Sequence, residues 1–535
     1  MLVPAIGLLL AWAATAPDAL AARSRLAYLA YDPADLGAFA QRGANAATRL
    51  PGRTAEPRLL GPGRFAEALD GPPPDLSPRF FLEYPLPALA LFRLEAWAVG
   101  LTGLPAAAAD AFHTDVAHHL PRTDTEREAW GRLRNVSRLH ITLMAAALVA
   151  LILVLRPGPA AWLLVLPGAV YFSLFRYDVL PALATAVAFR CVDRKRWGWA
   201  GVWLAVGVGL KLYPVLFLPV LLRLAGFRFV PRRASEEEYP RSRVGVRTKS
   251  GRLTAGFIVT LALLAASSVA AVGVEGAFAP LRVQLGREPE LDGWTLYGRL
   301  LPTALADSSA GRLGLLAAVV LACCWTRPAD PDAARRRCGL ILLAFTQLAV
   351  FWSPQWLVWF LPLAVPLAAR ERRTAWAVAA VDVTGYLSFP VLFHLVWGNL
   401  PAEWRPPVVE GMIGLRTLAW GWLGWRLLRG GPRLPSAGFR VEELQEAVTP
   451  PRGLKWQGVS PAGPPLMHGT TALQPVTVSF EPLPDGGLED VPQAREPRQA
   501  VAVYAWDGDG WRPTGKLVFN LSAADVVQRL GERPA

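Results

Sequence analysis

Cysteine is scarce in this chain of 535 residues: Cys191, Cys323, Cys324 and Cys338 are the whole set. All four lie in or beside apolar runs, with no spaced pair in a polar loop, which excludes a disulfide framework and a cysteine zinc site. Histidine is almost as rare, at six. His113, His118 and His119 share one loop with Asp110 and Asp115, but spacing within a single loop, with nothing to orient the rings, does not make a metal site. No metal and no cofactor is therefore expected. Repeats of the solenoid type are absent. The opening segment has no basic stretch ahead of its apolar run. Although Ala19-Leu20-Ala21 resembles a cleavage site, Met1–Leu20 reads as an uncleaved first span.

Apolar residues are abundant, at 53% with a mean hydropathy of +0.29 and 21 tryptophans. They are arranged in repeated long runs separated by short polar loops, the pattern of an all-α polytopic membrane protein. Candidate spans are 3–22, 84–104, 139–155, 160–175, 178–192, 197–224, 253–274, 311–326, 338–352, 356–369, 374–396 and 410–428, about twelve transmembrane helices. The net charge of +13 is mostly arginine and reads as positive cytoplasmic loops rather than nucleic-acid binding. Loop 223–252, Arg335-Arg336-Arg337 and the group Arg370, Arg372 and Arg373 fall on one side, taken as cytoplasmic. The large loops 23–83 and 275–310 then lie outside. Arg194, Lys195 and Arg196 land outside too, against the rule, so 160–192 is open to reading as a tilted or re-entrant pair.

The spans stop after Arg429. Residues 431–475, rich in Pro and Gly, read as a linker, and 476–535 as a small soluble α+β tail on the cytoplasmic side. Strands are expected at Val476–Phe480, Ala500–Tyr504 and Lys516–Asn520, with a turn at Asp507–Gly510 and a helix over Ser522–Leu530 capped by Ser522. The Asp-Gly repeat lacks the other ligands of a calcium loop and reads as a plain turn.

Several residues stand where chemistry is easiest to imagine. The span 197–224 holds a single lysine, Lys211, well inside it and followed by Tyr213, Pro214 and Pro219. A charge at such depth costs about 2.5–3.5 kcal/mol on insertion scales unless it reaches water, a partner or an anionic ligand. It reads either as a lysine snorkelling to the surface or as a cation aimed at an anionic headgroup. Arg176 and Asp178, with Pro181 behind them, interrupt two apolar runs and are each other's nearest candidates for neutralisation. Asp32 and Asp35 follow the first span. Asp32, before Pro33, has the look of a helix cap, whereas Asp35 shares a helical face with Phe39 and Arg42 and suits a general base. Tyr84-Pro85 opens the second span, and Ser353-Pro354-Gln355 joins two others. Trp352, Trp356 and Trp359 read as interfacial anchors.

Taken together, Lys211-Leu212-Tyr213-Pro214 with Pro219, Arg176-x-Asp178-x-x-Pro181, Ser353-Pro354-Gln355, an acid in the first outer loop and Tyr84-Pro85 resemble the GT-C glycosyltransferases. The particular likeness is to glycosyltransferase family 87, the polyprenyl-phosphate-mannose-dependent mannosyltransferases. The resemblance covers roughly 1–430 and leaves out the tail. It implies a GT-C-like fold, a bacterial-type inner-membrane location and transfer of a hexose, mannose in the family, from a polyprenyl-phosphate sugar to a lipid or glycan acceptor. In the family's pattern Asp35 is the catalytic aspartate and Asp32 the reserve. Arg287, Glu290 and Asp292 occupy the place of a later Arg, Gln and Glu, with both acidic positions departing from the pattern. The family's Tyr-Pro-Pro is Tyr84-Pro85-Leu86 here. Arg176, Asp178, Tyr213 and Gln355 complete the implied substrate site beside Lys211. The rivals are a polytopic transporter or lipid-carrier flippase, and a catalytically silent scaffold acting through its tail. No internal repeat supports the transporter.

Overall fold

The computed structural model describes residues 85–98, 124–227, 240–285, 309–349, 352–396, 400–429, 439, 443–468, 471–488, 490–506 and 511–532. Among them the chain is mostly helical with a small C-terminal sheet, and it divides into a helical unit up to Leu428 and a tail unit that begins at Arg429. The whole expected first span 3–22, loop 23–83, residues 99–123 with His113, His118 and His119, residues 228–239, residues 286–308 and the Asp507–Gly510 turn lie outside the described residues.

The helical unit runs α1 Leu86–Ala98, α2 Asp124–Leu155, a 3-10 segment Gly158–Val165, α3 Pro167–Phe175, α4 Val179–Asp193 and α5 Trp197–Leu210. A second 3-10 segment, Tyr213–Phe217, leads into α6 Leu218–Leu224. Next come α7 Pro240–Leu285, α8 Ser309–Trp325, α9 Pro331–Leu348, α10 Trp356–Ala368, α11 Arg372–Tyr386 with a π-helical continuation Leu387–Val396, and α12 Arg405–Arg429. Three of these are long and apolar enough to cross a membrane, over Arg138–Leu155, Lys249–Ala270 and Arg372–Leu392. A fourth is reached if the pair Gly158–Val165 and Pro167–Phe175, bent by 63°, counts as one broken span. The other apolar helices run 10–17 residues, short of the ~20 needed to cross upright.

α10 lies at the centre. Twelve of its thirteen residues are buried, all but Pro366, as expected of a helix apolar on every face. Phe172, Phe175, Phe189 and Phe217 of the neighbouring elements share its buried cluster. α5 lies against α7 with backbones nearly touching. A Cβ at Gly201 would stand 2.1 Å from the Leu253 carbonyl oxygen, and one at Gly256 would stand 2.2 Å from that of Gly198. Small residues permit such approach between apolar helices, and any side chain there would force the pair apart.

The stretch 197–224, expected as one span, is two short arms folded back on each other. The helix ends at Leu210 because Lys211 is extended (φ −158°, ψ 135°) and Pro214 and Pro219 supply no amide hydrogen. Both far ends meet one turn of α9. Asp193, just before α5, accepts from Arg335 (2.6 Å), while Arg223, at the end of α6, donates to the carbonyls of Cys324 (2.9 Å) and Trp325 (3.0 Å), and Arg337 to that of Cys323 (2.9 Å). Phe217 packs on Phe189, a turn before Asp193, so the second arm has already travelled back along α4. The fourteen residues of α5 span about 21 Å, which sets the depth of Lys211 from that end.

This fold-back changes where one basic cluster lies. Arg194, Lys195 and Arg196 lie at the same end of the unit as Arg223 and Arg335–Arg337, not opposite them. Alternate counting failed because it gave one crossing to a segment that goes in and returns. A cysteine at Lys195 should therefore be modified by a membrane-impermeant thiol reagent from the same side as a cysteine at Arg336. Labelling from opposite sides would break the fold-back.

Two other boundaries differ from expectation. α7 continues to Leu285, through Pro280, so the first part of the expected outer loop 275–310 is helical. The expected linker 431–475 carries α13 Glu443–Ala447, β1 Leu454–Pro461, β2 Leu466–His468 and the start of β3 Thr471–Pro482. With β4 Arg498–Trp506 and β5 Trp511–Phe519 they form an antiparallel sheet in the order β1-β3-β4-β5, β2 pairing beside β1 on β3. Among the described residues Gly453, Pro461, Gly463, Pro464 and Pro465 sit at turns and a strand end while Gly458 and Pro475 lie within β1 and β3, and composition alone reads such a stretch as linker. One face of the sheet buries Val476, Val478, Phe480 and Tyr504, with Phe439 stacked on Tyr504 at 4.1 Å. The other face packs Leu473 and Val501 under Val526 of α14 Ala523–Glu532. Ser522 caps that helix as expected: its Oγ accepts from the Asp525 amide (3.2 Å) and Asp525 accepts from the Ser522 amide (3.1 Å).

Candidate functional site

The extended Lys211 at the break between α5 and the 3-10 segment turns its side chain toward the start of α4. There Nζ donates to Asp178 Oδ1 at 2.6 Å. Asp178 is 1% exposed and Lys211 17%, so the carboxylate is sealed while the lysine side chain is only partly buried. The same Oδ1 accepts from the indole Nε1 of Trp359, while Oδ2 is buried with no hydrogen-bond partner among the described residues. The ring of Tyr177 lies 4.9 Å from Nζ and that of Trp359 5.1 Å, both in cation–π range. Tyr213 stacks on Trp359 at 4.3 Å, nearly parallel at 6°. The Tyr177 hydroxyl donates to the Leu210 carbonyl (3.4 Å), one of the last carbonyls of α5.

Each part has a local cause. Asp178 precedes α4 and is freed from capping, since its side chain makes no hydrogen bond to that helix. Lys211 leaves the helical ladder where Pro214 follows three residues on. Trp359 stands one turn into α10, after Ser353-Pro354-Gln355 closes the turn that starts it, with the Trp356 amide donating to the Ser353 carbonyl (3.2 Å). The result is a partly buried charge pair with a carboxylate floor and two aromatic walls.

Of the expected site residues, Asp178, Lys211 and Tyr213 come together. Arg176 is half-buried at the end of α3, and Gln355 is half-buried at the start of α10. The sequence pointed Asp178 toward Arg176, two residues away; the structure supplies Lys211, 33 residues on. Asp32, Asp35, Tyr84, Arg287, Glu290 and Asp292 lie outside the described residues. The three tryptophans read as interfacial anchors divide. Trp356 and Trp359 are each 3% exposed and face inward, and Trp352 lies under the guanidinium of Arg416 at 3.9 Å. A tryptophan at a span's end looks the same in sequence whether it anchors to headgroups or closes a buried pair.

Two carboxylates buried inside apolar runs were not singled out by the sequence. Glu95 accepts from or bonds to His140 Nδ1 through both oxygens at 3.1 Å, tying α1 to α2. Asp382 of α11 accepts from the amides of Gly168 (2.9 Å) and Ala169 (2.6 Å), satisfying the first turn of α3 at the bend of the broken pair. The available signal was the one used for Lys211: a titratable residue inside an apolar run. No protein family, functionally characterised protein or solved structure matches this chain.

Proposed function

We propose that the chain is an integral membrane glycosyltransferase that moves a hexose, mannose in the first instance, from a polyprenyl-phosphate sugar to a lipid or glycan acceptor, with inversion, in a bacterial-type inner membrane with the tail cytoplasmic. The observation that carries the reading is the Asp178–Lys211 pair at a helix break, partly buried and walled by Tyr177 and Trp359. Broken helices and freed backbone at depth belong where protein or a wet cavity meets them. The break lies about 21 Å along α5 from the arginine-rich end, a depth that suits a lipid phosphate approaching from the opposite face.

In the proposed reaction Asp35 takes the proton of the acceptor hydroxyl. The oxygen attacks the anomeric carbon from the face opposite the phosphate, the new C–O bond forms, and the carbon–oxygen bond to phosphate breaks with its electron pair going to the phosphate. The donor is a phosphodiester with one negative charge and the leaving polyprenyl phosphate carries two. Lys211, held in place by Asp178, and Arg287 would stabilise the second charge as it develops. Tyr213, Arg176, Gln355, Tyr84, Glu290 and Asp292 are assigned to the walls of the donor and acceptor sites.

The test is transfer of radiolabelled sugar from a polyprenyl-phosphate donor to membrane acceptors by the reconstituted protein. Lys211→Met keeps the aliphatic stem and removes the charge. It should reduce donor use by at least tenfold at equal membrane abundance. Full donor use by the Met variant would leave Lys211 as a structural partner of Asp178 only. The fold-back also suits a substrate path, as discontinuous helices do in transporters. Translocation of the lipid-linked sugar without transfer, in the same proteoliposomes, would favour that rival.

A further inference from the structure

The basic residues at the Trp197 end of the helical unit fall into two sets. One set spends its donors within the fold. Arg223 serves the carbonyls of Cys324 and Trp325, Arg327 that of Leu224 (3.1 Å), Arg336 that of Arg426 (3.4 Å), and Arg337 that of Cys323. Arg335 spans Asp193 (2.6 Å) and Asp332 (2.8 Å). The second set, Arg156, Arg190, Arg194, Lys195 and Arg196, makes no side-chain hydrogen bond or ion pair among the described residues. Arg156 and Arg190 stand close enough to repel one another, as do Arg190 and Arg194. The nearest acid, Asp193, is already taken by Arg335. Four of the five are exposed and Arg190 is half-buried.

We propose that Arg156, Arg190, Arg194, Lys195 and Arg196 form a binding surface for the phosphate of anionic phospholipid headgroups. The inference rests on the chain lying in a bilayer and not on what it transfers.

The backbone argues that the cations are placed there at a cost. α4 and α6 end in the same motif. After α6, the Gly226 and Phe227 amides donate to the carbonyls of Arg223 (3.0 Å) and Leu222 (2.9 Å), and the left-handed position is Gly226 at φ +97°. After α4, the Lys195 and Arg196 amides donate to those of Val192 (2.9 Å) and Cys191 (2.8 Å), and the left-handed position is Lys195 at φ +59°. Glycine suits that position because a Cβ crowds the next carbonyl. Arg156, after α2, is left-handed too, at φ +46°. So two neighbouring helix ends each put a cation where glycine would be easier. The helix C-termini tolerate these charges, since cations oppose the negative end of the helix dipole. That accounts for their presence without giving the side chains anything to hold.

The surroundings point to a lipid source of phosphate. Trp199, two residues into α5, is 61% exposed, and Leu153, one turn before Arg156, is 65% exposed. An exposed tryptophan and leucine beside a ring of cations match an apolar band meeting headgroups. A soluble anion would gain nothing from either.

The experiment uses the full chain in mixed phosphatidylcholine and phosphatidylglycerol bilayers, with spin-labelled versions of each lipid as probes. The parent should immobilise phosphatidylglycerol in preference to phosphatidylcholine. The triple variant Arg194→Gln, Lys195→Gln, Arg196→Gln should lose that preference by up to about a hundredfold in relative association, at roughly fivefold per cation near the surface. Lys195→Gly guards against a folding artefact: it removes one cation while relieving the left-handed strain, and should raise the melting temperature yet weaken the preference by roughly fivefold. Unchanged preference in the triple variant would overturn the proposal. So would displacement of the labelled lipid by millimolar inorganic phosphate at fixed ionic strength, which would assign the cluster to a soluble anion.

Discussion

Asp178→Leu is expected to destabilise the helical unit by about 3 kcal/mol, the lower end of the ~3–5 kcal/mol typical when one partner of a buried pair is removed. Two losses combine. Lys211 loses its buried counter-ion Asp178, and the Trp359 indole loses the acceptor of its buried N–H. The lower end applies because Lys211 retains 17% exposure and can recover some hydration. Adding Lys211→Met should return most of the stability, since an apolar replacement of both charges is often neutral or better. Thermal unfolding in detergent, read for both variants and for Lys211→Met alone, checks this. A single Asp178→Leu variant as stable as the parent would mean that the pair holds nothing together. The proposed function adds a second readout that stability cannot imitate: the restored double variant should fold and still fail to use donor.

Asp35→Asn is expected to lower single-turnover transfer by roughly 10²–10⁴-fold, the usual loss when a general base is removed. Asp32→Asn should leave the rate close to that of the parent. Its place before Pro33 fits a helix cap, whose removal costs about 0.5–2 kcal/mol of stability and no chemistry. The comparison needs equal membrane abundance and retained donor binding. A nearly active Asp35→Asn beside an inactive Asp32→Asn would move the base to Asp32. Two active variants would remove the first loop from the catalytic account.

Much of the helical unit was legible in hydropathy, and so was one half of its buried charge pair. Lys211 stood out because an isolated cation in an apolar run needs a reason, and Pro214 and Pro219 marked the break. Its partner was not legible. Asp178 lay beside Arg176, and proximity in sequence named the wrong cation. Pairing across 33 residues depends on the chain turning back after Lys211, and hydropathy carries no direction. The same blindness put Arg194–Arg196 on the wrong side. Trp359 was hidden by its own composition rule, because span ends are where anchoring tryptophans also occur. In the tail the strands with alternating apolar residues were visible at 476–480 and 500–504, whereas β1, rich in polar and small residues around Gly458, looked like linker. Its evidence for being a strand is its pairing with β3, which only the fold provides.

The two donors to Asp178 also differ in when they are made. Lys211 is synthesised 33 residues after Asp178, which at about 5–20 residues per second is roughly 2–7 s. Trp359 follows Asp178 by 181 residues, a delay of roughly 10–40 s. The charge can thus be neutralised early, inside a fragment that contains only α4 and the fold-back. The indole, and with it the sheet of ring that covers Tyr213, arrives after four more helices have left the ribosome. The first event lets a buried carboxylate wait in a half-made protein; the second closes the chamber around it.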